Sequence, residues 1–166
     1  MEELTRQDAE RILERNHRGR LACYSPSRDI SYVVPISYDY HDGSIYLAMI
    51  AGQTLDFLRE HPRGICFEVD EITNDETWLS VIATGGFVEI GGTERNQEEL
   101  AAVQRILHGP LRGIFYEREA GHGLTLMLDG GKLELGAIRI ETLTARKEQW
   151  SFEVDFPLQV AAAKSH

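Results

Sequence analysis

The sequence has little of what marks several common functional classes. Its 17 basic residues stand against 27 acidic ones, and this net charge of −10 argues against nucleic-acid binding and against attraction to anionic lipid. No apolar run approaches the ~20 residues of a membrane-spanning helix, and residues 1–16 lack the apolar segment of a secretory signal. The only cysteines, Cys23 and Cys66, lie in apolar segments and indicate buried thiols in a reducing compartment. We therefore expect a cytoplasmic protein without nucleic-acid or membrane partners.

The motifs of the commonest enzyme sites are also missing. There is no G-x-G-x-x-G after a strand, no G-x-x-x-x-G-K-[ST] and no G-x-S-x-G. There is no H-E-x-x-H, and the six histidines are scattered along the chain, so no zinc site is predicted. No catalytic side chain follows from a motif. Any chemistry is therefore expected to come from a cofactor.

What is present is a series of short alternating apolar segments, which predicts a mainly β protein. Because helices and strands do not alternate as in a parallel sheet, we expect an antiparallel barrel with helices at its rim. Residues 71–77 (EITNDET) are predicted to be an acidic loop without a basic counterweight. The chain is expected to form one domain over residues 1–166, with a core at about 5–147 and a tail at 148–166. The predicted strands are 20–24, 30–38, 44–49, 64–70, 78–90, 124–128 and 132–143, and the predicted helices are 5–16, 54–60 and 95–108.

The stretch from Tyr32 to Glu68 holds the best candidate site. Pro35 lies in the middle of a predicted strand and has no N–H, so we expect that strand to be locally open there, or else to be an edge strand. A helix is predicted to begin at Gly52, where free N–H groups favour an anion. Together these features would suit a ligand with a flat ring at one end and an anionic group at the other.

Several segments, in their order and spacing, resemble a known family. It is the FMN-binding split-barrel family related to pyridoxamine 5′-phosphate oxidase, in particular the branch similar to nitroimidazole-resistance proteins. The resemblance covers about residues 5–147. It is carried by Arg18–Ala22, Tyr32–Tyr38, Gly43–Leu47, Ile65–Asp70, Trp78–Gly85 and Ile140–Lys147.

The resemblance implies a six-stranded antiparallel split β-barrel, in a homodimer with two FMN sites across its interface. It implies that one strand runs beside the isoalloxazine ring, that a helix start holds the phosphate, and that a second strand forms another wall of the pocket. Trp78 on that wall could equally be dimer-interface packing. The cofactor-binding candidates are Val34, Pro35, Ile36, Ser37 and Tyr38 at the ring, Gly52, Gln53, Thr54 and Leu55 at the phosphate, Trp78 and Ser80 on the wall, and Arg146.

The sequence departs from the family pattern at the phosphate end. The family commonly has a histidine where this chain has Ala48, and basic residues where it has Gln53 and Thr54. Each lost charge-assisted contact is worth ~1.5–3 kcal/mol, so FMN binding is expected to be weaker unless other cations compensate. The candidate cations are Arg18, Arg20, Arg146 and Lys147.

Three functions follow from the sequence. The first is an FMN-dependent oxidoreductase that reduces a small electrophile of the nitroaromatic or quinone type. The second is a split-barrel dimer that binds haem or another small ligand. The third is a non-catalytic regulatory protein. The possible axial ligands for haem are His41, His61, His108 and His122.

Overall fold

The computed structural model describes residues 1–74, 77–90, 101, 104–106, 115–120, 123–128 and 131–149. Residues 101 and 104–106 are helical, and the rest of the predicted helix 95–108 lies outside the described residues, as does the tail beyond residue 149. The strands are β1 (Glu2–Glu3), β2 (Arg18–Ser25), β3 (Ile30–His41), β4 (Ser44–Ile50), β5 (Ile65–Asn74), β6 (Thr77–Glu89), β7 (Phe115–Ala120), β8 (Gly123–Leu128) and β9 (Gly131–Gln149). The helices are α1 (Arg6–Arg15) and α2 (Gln53–Glu60).

Six strands close into an antiparallel barrel, which confirms the predicted fold. They are hydrogen-bonded in the order β4-β3-β2-β5-β6-β9, and a further pairing of β4 with β9 completes the ring. The hairpin of β7 and β8 extends from the start of β9, and β1 pairs near its end. In the described segments, neither helix has the length and apolar character to cross a membrane.

Both helices place an apolar face against the barrel. Thr5 caps α1 and accepts a hydrogen bond from the Asp8 N–H at 3.2 Å. The α1 stripe of Ala9, Ile12 and Leu13 is buried, as are Leu55, Phe57 and Leu58 of α2. This burial, rather than intrinsic helix propensity, fixes these short helices in place.

Of the predicted acidic loop 71–77, residues 71–74 and 77 lie in strands instead, and for the described carboxylates the predicted lack of basic partners is wrong. Strand β5 continues to Asn74 because its pairing with β6 persists beyond Glu71. Its carboxylates are also balanced by cations from earlier in the chain. Arg20 pairs with Asp70 and with Glu68, the latter at 3.5 Å, and the Arg15 Nη2–Glu71 Oε2 distance is 2.5 Å.

This last ion pair predicts a pH-dependent contribution to stability. Hydrogen bonding from Arg15 holds the pKa of Glu71 below its ordinary value of 4.5. A carboxyl whose pKa is lower in the folded state stabilises that state above its unfolded pKa and loses the effect as the pH falls. Glu71→Gln is expected to lower the free energy of unfolding by up to ~1 kcal/mol at pH 7. The difference should shrink as the pH drops below 4.5, as measured by urea denaturation across pH.

The matched control is Glu14→Gln, which removes the same charge from an exposed position on α1. It should leave the free energy of unfolding within about 0.5 kcal/mol of the wild-type value at each pH. If both variants lost stability equally, the Arg15–Glu71 pair would have no special role.

Candidate functional site

The barrel splits where β3 and β4 part. The two strands pair only between Tyr38–His41 and Ser44–Leu47, and β4 then continues alongside β9 as far as Ile50. Within the described ranges, no strand pairs with the edge of residues 30–37 that faces β4. The gap is a cleft of about 490 Å³. It is lined by Tyr32, Val34, Pro35, Ile36, Ser37, Ala48, Met49, Ile50, Gly52, Gln53 and Thr54.

The backbone along this open edge is available to a ligand. The Tyr38 N–H donates to the His17 carbonyl at 3.0 Å, so Tyr38 directs its main-chain groups towards the β2 side. Because successive residues of an antiparallel strand alternate in direction, Ser37, Pro35 and Val33 direct theirs towards the cleft. Ser37 and Val33 therefore present both an N–H and a carbonyl to the cleft, and Pro35 presents a carbonyl alone.

This geometry corrects the expected effect of Pro35. The pairing of β3 with β2 runs without a break from Ser25↔Ile30 to Arg18↔Ser37, and Pro35 lies opposite Arg20. The strand is open because β4 turns away from it, not because the proline interrupts a ladder. Since the missing N–H falls on the open edge, Pro35 instead makes that edge a poor template for another strand.

The floor of the cleft is apolar. Val34 and Ile36 are half-buried and pack against the core, and Met49 is buried on the opposite strand. The ring of Tyr32 meets that of Phe57 edge-on, with centroids 5.9 Å apart. A planar ring lying on this floor would contact aliphatic side chains while its edge faced the open backbone.

The start of α2 forms the other end of the cleft. Gly52 is the N-cap and offers no side-chain acceptor, so the N–H groups of the first turn have no capping side chain. The first bond along the helix runs from the Asp56 N–H to the Gly52 carbonyl at 3.0 Å. Gln53 and Thr54 supply side-chain donors here, but no cation lines the cleft among the described residues. The arrangement can hold an anion by hydrogen bonds and the helix dipole, without a charge partner.

The predicted site residues fall into three groups. Seven line the cleft, while Tyr38 and Leu55 lie in the core, 0% and 1% exposed. The Tyr38 hydroxyl donates to the Leu13 carbonyl at 2.9 Å, and burial raises the pKa of this phenol, so its side chain is a structural donor. The remaining three residues lie on β6 and β9, away from the cleft of their own chain. Those seven cleft residues are Val34, Pro35, Ile36, Ser37, Gly52, Gln53 and Thr54, and the three outer ones are Trp78, Ser80 and Arg146.

Sequence reasoning missed four lining residues, which are Tyr32, Ala48, Met49 and Ile50. Tyr32 could have been found from the two-residue period that joins it to Val34 and Ile36. The three residues at the end of β4 had no such periodic signal, although the family resemblance already placed Ala48 at the phosphate end. They line the cleft because β4 leaves β3 after Leu47, and that divergence is a tertiary feature.

Metal and thiol chemistry find no support within the described part of the chain. No group of three or more His, Cys, Asp or Glu side chains there could hold a metal ion. The two cysteines are free; Cys23 is buried as predicted, whereas Cys66 is only partly buried, and burial raises the pKa of both thiols. Of the histidines considered for haem, His41 and His61 do not line the cleft, and His108 and His122 lie outside the described residues.

Comparison with known proteins gives one family match. The sequence model of the family described as pyridoxamine 5′-phosphate oxidase matches residues 5–126. An uncharacterized protein of Rhizobium meliloti (strain 1021) is 28% identical over 91 residues, which are 55% of this chain and 58% of that protein. The match therefore spans less than two thirds of this curated relative.

Solved structures share the fold at lower identity. An FAD-binding protein from Mesorhizobium loti is 24% identical, with a TM-score of 0.65 over 89% of this chain and 98% of that one. A candidate 5-nitroimidazole antibiotic resistance protein from Bacteroides thetaiotaomicron is 14% identical, with a TM-score of 0.61 over 88% of this chain and 86% of that one. A heme-binding protein from Mycobacterium smegmatis is 12% identical, with a TM-score of 0.61 over 87% of this chain and 56% of that one.

Proposed function

We propose that this chain, which belongs to the pyridoxamine 5′-phosphate oxidase family, binds FMN in the cleft between β3 and β4. The observation that carries the proposal is the split in the barrel. It combines an apolar floor, an open strand edge and an uncapped helix start within one cleft. A flavin has the matching parts: a flat ring, a ring edge with hydrogen-bonding groups and a phosphate. The shared fold with an FAD-binding protein supports the same assignment.

Each part of the cleft has a distinct role in this proposal. The Ser37 N–H would donate to an acceptor on the ring edge. Val34 and Ile36 would support the ring from below, and the helix start with Gln53 and Thr54 would hold the phosphate. Among the residues that the structure describes, Tyr32 is the only one in the lining with an ionisable side chain. The protein therefore binds and orients, and it offers little acid–base chemistry of its own.

A bound flavin would supply hydride transfer. The overall reaction takes two electrons and a proton from an external two-electron reductant and passes a hydride to a small electrophile. A quinone would accept the hydride and a proton from water and leave as the hydroquinone. The chain's contribution is to hold one face of the ring against the apolar floor, so that the other face would be available to the substrate.

We also propose that the working unit is a homodimer, formed through the outer face of β5 and β6. Ile72 and Ile82 on this face are 71% and 42% exposed, and Trp78 lies beside Ile72. The polar pair Asp70 and Ser80 lies between these apolar residues, so the face mixes apolar and polar groups as the interfaces of non-obligate complexes do. Ser80 and Arg146 are paired neighbours on β6 and β9, so a second copy packed here could bring both towards its own cleft. This would account for their separation from the cleft of their own chain.

Haem remains a weaker alternative. It is favoured by the shared fold with a heme-binding protein, but an axial ligand would have to come from outside the cleft lining. A Soret band that appears on addition of haem and disappears in one His→Ala variant would replace the flavin proposal. A protein that binds neither cofactor would be left with a regulatory role.

The flavin proposal predicts that substitutions of Gly52 change the affinity for FMN through its phosphate. A Cβ atom there would meet nothing closer than 4.0 Å, so the position accepts side chains. Gly52→Asp should cap α2 well and yet weaken FMN binding by roughly tenfold or more, because its carboxylate occupies the N–H groups and repels the phosphate. Gly52→Ala should retain most of the affinity. Titration followed by flavin absorbance and fluorescence measures both.

Riboflavin, which lacks the phosphate, is the ligand control and should bind all three proteins alike. Sedimentation equilibrium of the titrated wild-type protein should give a dimer with two flavins. The proposal of FMN binding would be wrong if the wild-type protein were colourless as purified and its absorption spectrum did not change on addition of FMN.

A further inference from the structure

A second pocket, which we call the arginine pocket, lies beside the flavin cleft. Its volume is about 660 Å³, and it shares Pro35 with the cleft, so the two open next to each other along β3. The pocket lies between the end of α1, the start of β2 and the middle of β5. Its lining residues are Arg15, Asn16, His17, Arg18, Gly19, Arg20, Pro35, Asp70 and Ile72.

Two of the three arginines are already engaged. Arg15 forms two hydrogen bonds with the Glu71 carboxylate, at 2.6 and 2.5 Å, and Arg20 pairs with Asp70 and Glu68. Arg20 thereby neutralises Asp70, which is the only acidic residue in the lining within the described ranges. The carboxylates of Glu68, Asp70 and Glu71 therefore all form ion pairs with Arg15 or Arg20.

Arg18 is different. It is exposed and forms no ion pair or side-chain hydrogen bond with any residue that the structure describes. The net charge of the whole chain is −10, and yet the guanidinium of Arg18 has no acidic partner among the described residues. A guanidinium presents paired donors that suit a carboxylate or a phosphate.

The position of Arg18 connects it to the cleft. Arg18 lies directly opposite Ser37 on the neighbouring strand, so the two side chains share one face of the sheet with Cβ atoms about 5 Å apart. Ser37 lines the cleft and directs its backbone towards it. A molecule that reaches the ring at this end of the cleft would pass within reach of Arg18.

The phosphate end of the cleft is elsewhere. The start of α2 is linked to the other end of β3, where Tyr32 meets Phe57. Tyr32 and Ser37 are five residues apart on an extended strand, which is about 16 Å. A cofactor phosphate at α2 would therefore leave Arg18 free for a second anion.

We propose that Arg18 is an anion-binding subsite for the substrate, holding a carboxylate or phosphate on a small molecule whose reacting part lies against the ring. Pro35 supplies apolar contact beside that group. This inference rests on the proposed flavin site for the placement of the reacting part. It narrows the substrate class to anionic electrophiles, which neutral nitroaromatics and simple quinones are not.

The test compares three probes of similar shape: para-nitrobenzoate, para-nitrophenyl phosphate and uncharged nitrobenzene. Binding of each to the protein without added flavin is measured by isothermal titration calorimetry. The wild type should bind at least one of the anionic probes about tenfold or more tightly than nitrobenzene. Arg18→Gln should abolish that preference, and Arg18→Lys should restore part of it. The two anionic probes separate a carboxylate site from a phosphate site.

The matched control is Arg63→Gln, which removes the same charge from an exposed residue just before β5. The run from Ile65 to Asp70 places the arginine pocket about 16 Å further along that strand. This variant should keep the wild-type preference. Equal binding of charged and uncharged probes by the wild type, or a preference that survives Arg18→Gln, would overturn the inference.

The outcome is independent of the flavin titration. If FMN fails to bind but the anion preference depends on Arg18, the subsite stands and the cofactor proposal falls. If FMN binds and no anion preference is found, the proposed Arg18 subsite is wrong and the flavin proposal is unaffected. Circular dichroism spectra that match the wild type would show that each variant is folded.

Discussion

Gly85→Ala is expected to cost at least ~3 kcal/mol of folding free energy, a large part of the usual 5–15 kcal/mol. The pairing of β6 with β9 shifts register between Thr84 and Gly85, and the two backbones approach closely there. A Cβ on Gly85 would collide with the Arg139 carbonyl and lie 3.2 Å from the Ile140 Cα. These are backbone atoms in the longest strand pairing of the barrel, so the collision cannot be relieved by a rotamer change.

The neighbouring glycine provides the control. A Cβ on Gly86 would meet only the Pro62 carbonyl at 3.6 Å and a Glu141 carboxylate oxygen at 3.9 Å, which are ordinary contacts. Gly86→Ala should therefore change the free energy of unfolding by about 1 kcal/mol or less. Urea denaturation followed by circular dichroism measures both variants. Similar stabilities for the two would show that the close approach at Gly85 is not required.

The barrel could be predicted from sequence because its signals are local. A glycine pair inside an apolar strand, here Gly85-Gly86, is typical of a bulge or a close backbone approach, and the pairing of β6 with β9 shifts register at Gly85. The Asp42-Gly43 turn and the capped start of α1 at Thr5 are equally local. The apolar alternation along strands such as β2 then indicates which residues face the core, whereas β4 is buried along almost its whole length.

The candidate site was predictable only in part. Val34 to Ser37 and Gly52 to Thr54 follow from one strand and one helix start, and all of them line the cleft. Tyr38 was assigned to the same strand platform but lies in the core, because β4 joins β3 at the Tyr38↔Leu47 pair. The position of that junction depends on where β4 turns towards β9. No sequence pattern near Tyr38 predicts where the two strands begin to pair.

The charge pattern was the least predictable feature. The partners of the acidic residues in β5 lie about fifty positions earlier, on α1 and β2. Long-range ion pairs leave no periodic trace in the sequence. Arg18 differs from Arg15 and Arg20 only in lacking an acidic partner among the described residues, and that difference depends on these long-range pairs.

Restoring a cation at the start of α2 is expected to strengthen FMN binding by roughly 10–100-fold. Gln53 lines the cleft at the first helical position, beside N–H groups that no side chain caps. Gln53→Lys would add one charge-assisted hydrogen bond to the phosphate, worth ~1.5–3 kcal/mol. The same charge should slightly destabilise α2, because a cation opposes the dipole at a helix N-terminus. Tighter binding would therefore accompany a slightly lower melting temperature without ligand.

The gain should be specific to the phosphate and to the position. Riboflavin affinity should stay unchanged in Gln53→Lys, and the FMN gain should diminish as salt concentration rises. Gln7→Lys adds the same charge to an exposed position on α1 and should leave FMN affinity within about twofold of wild type, since screening limits distant surface charges. Fluorescence titrations of the three proteins with FMN and riboflavin make the comparison. Equal gains for both ligands, or an equal gain from Gln7→Lys, would place the phosphate away from the start of α2.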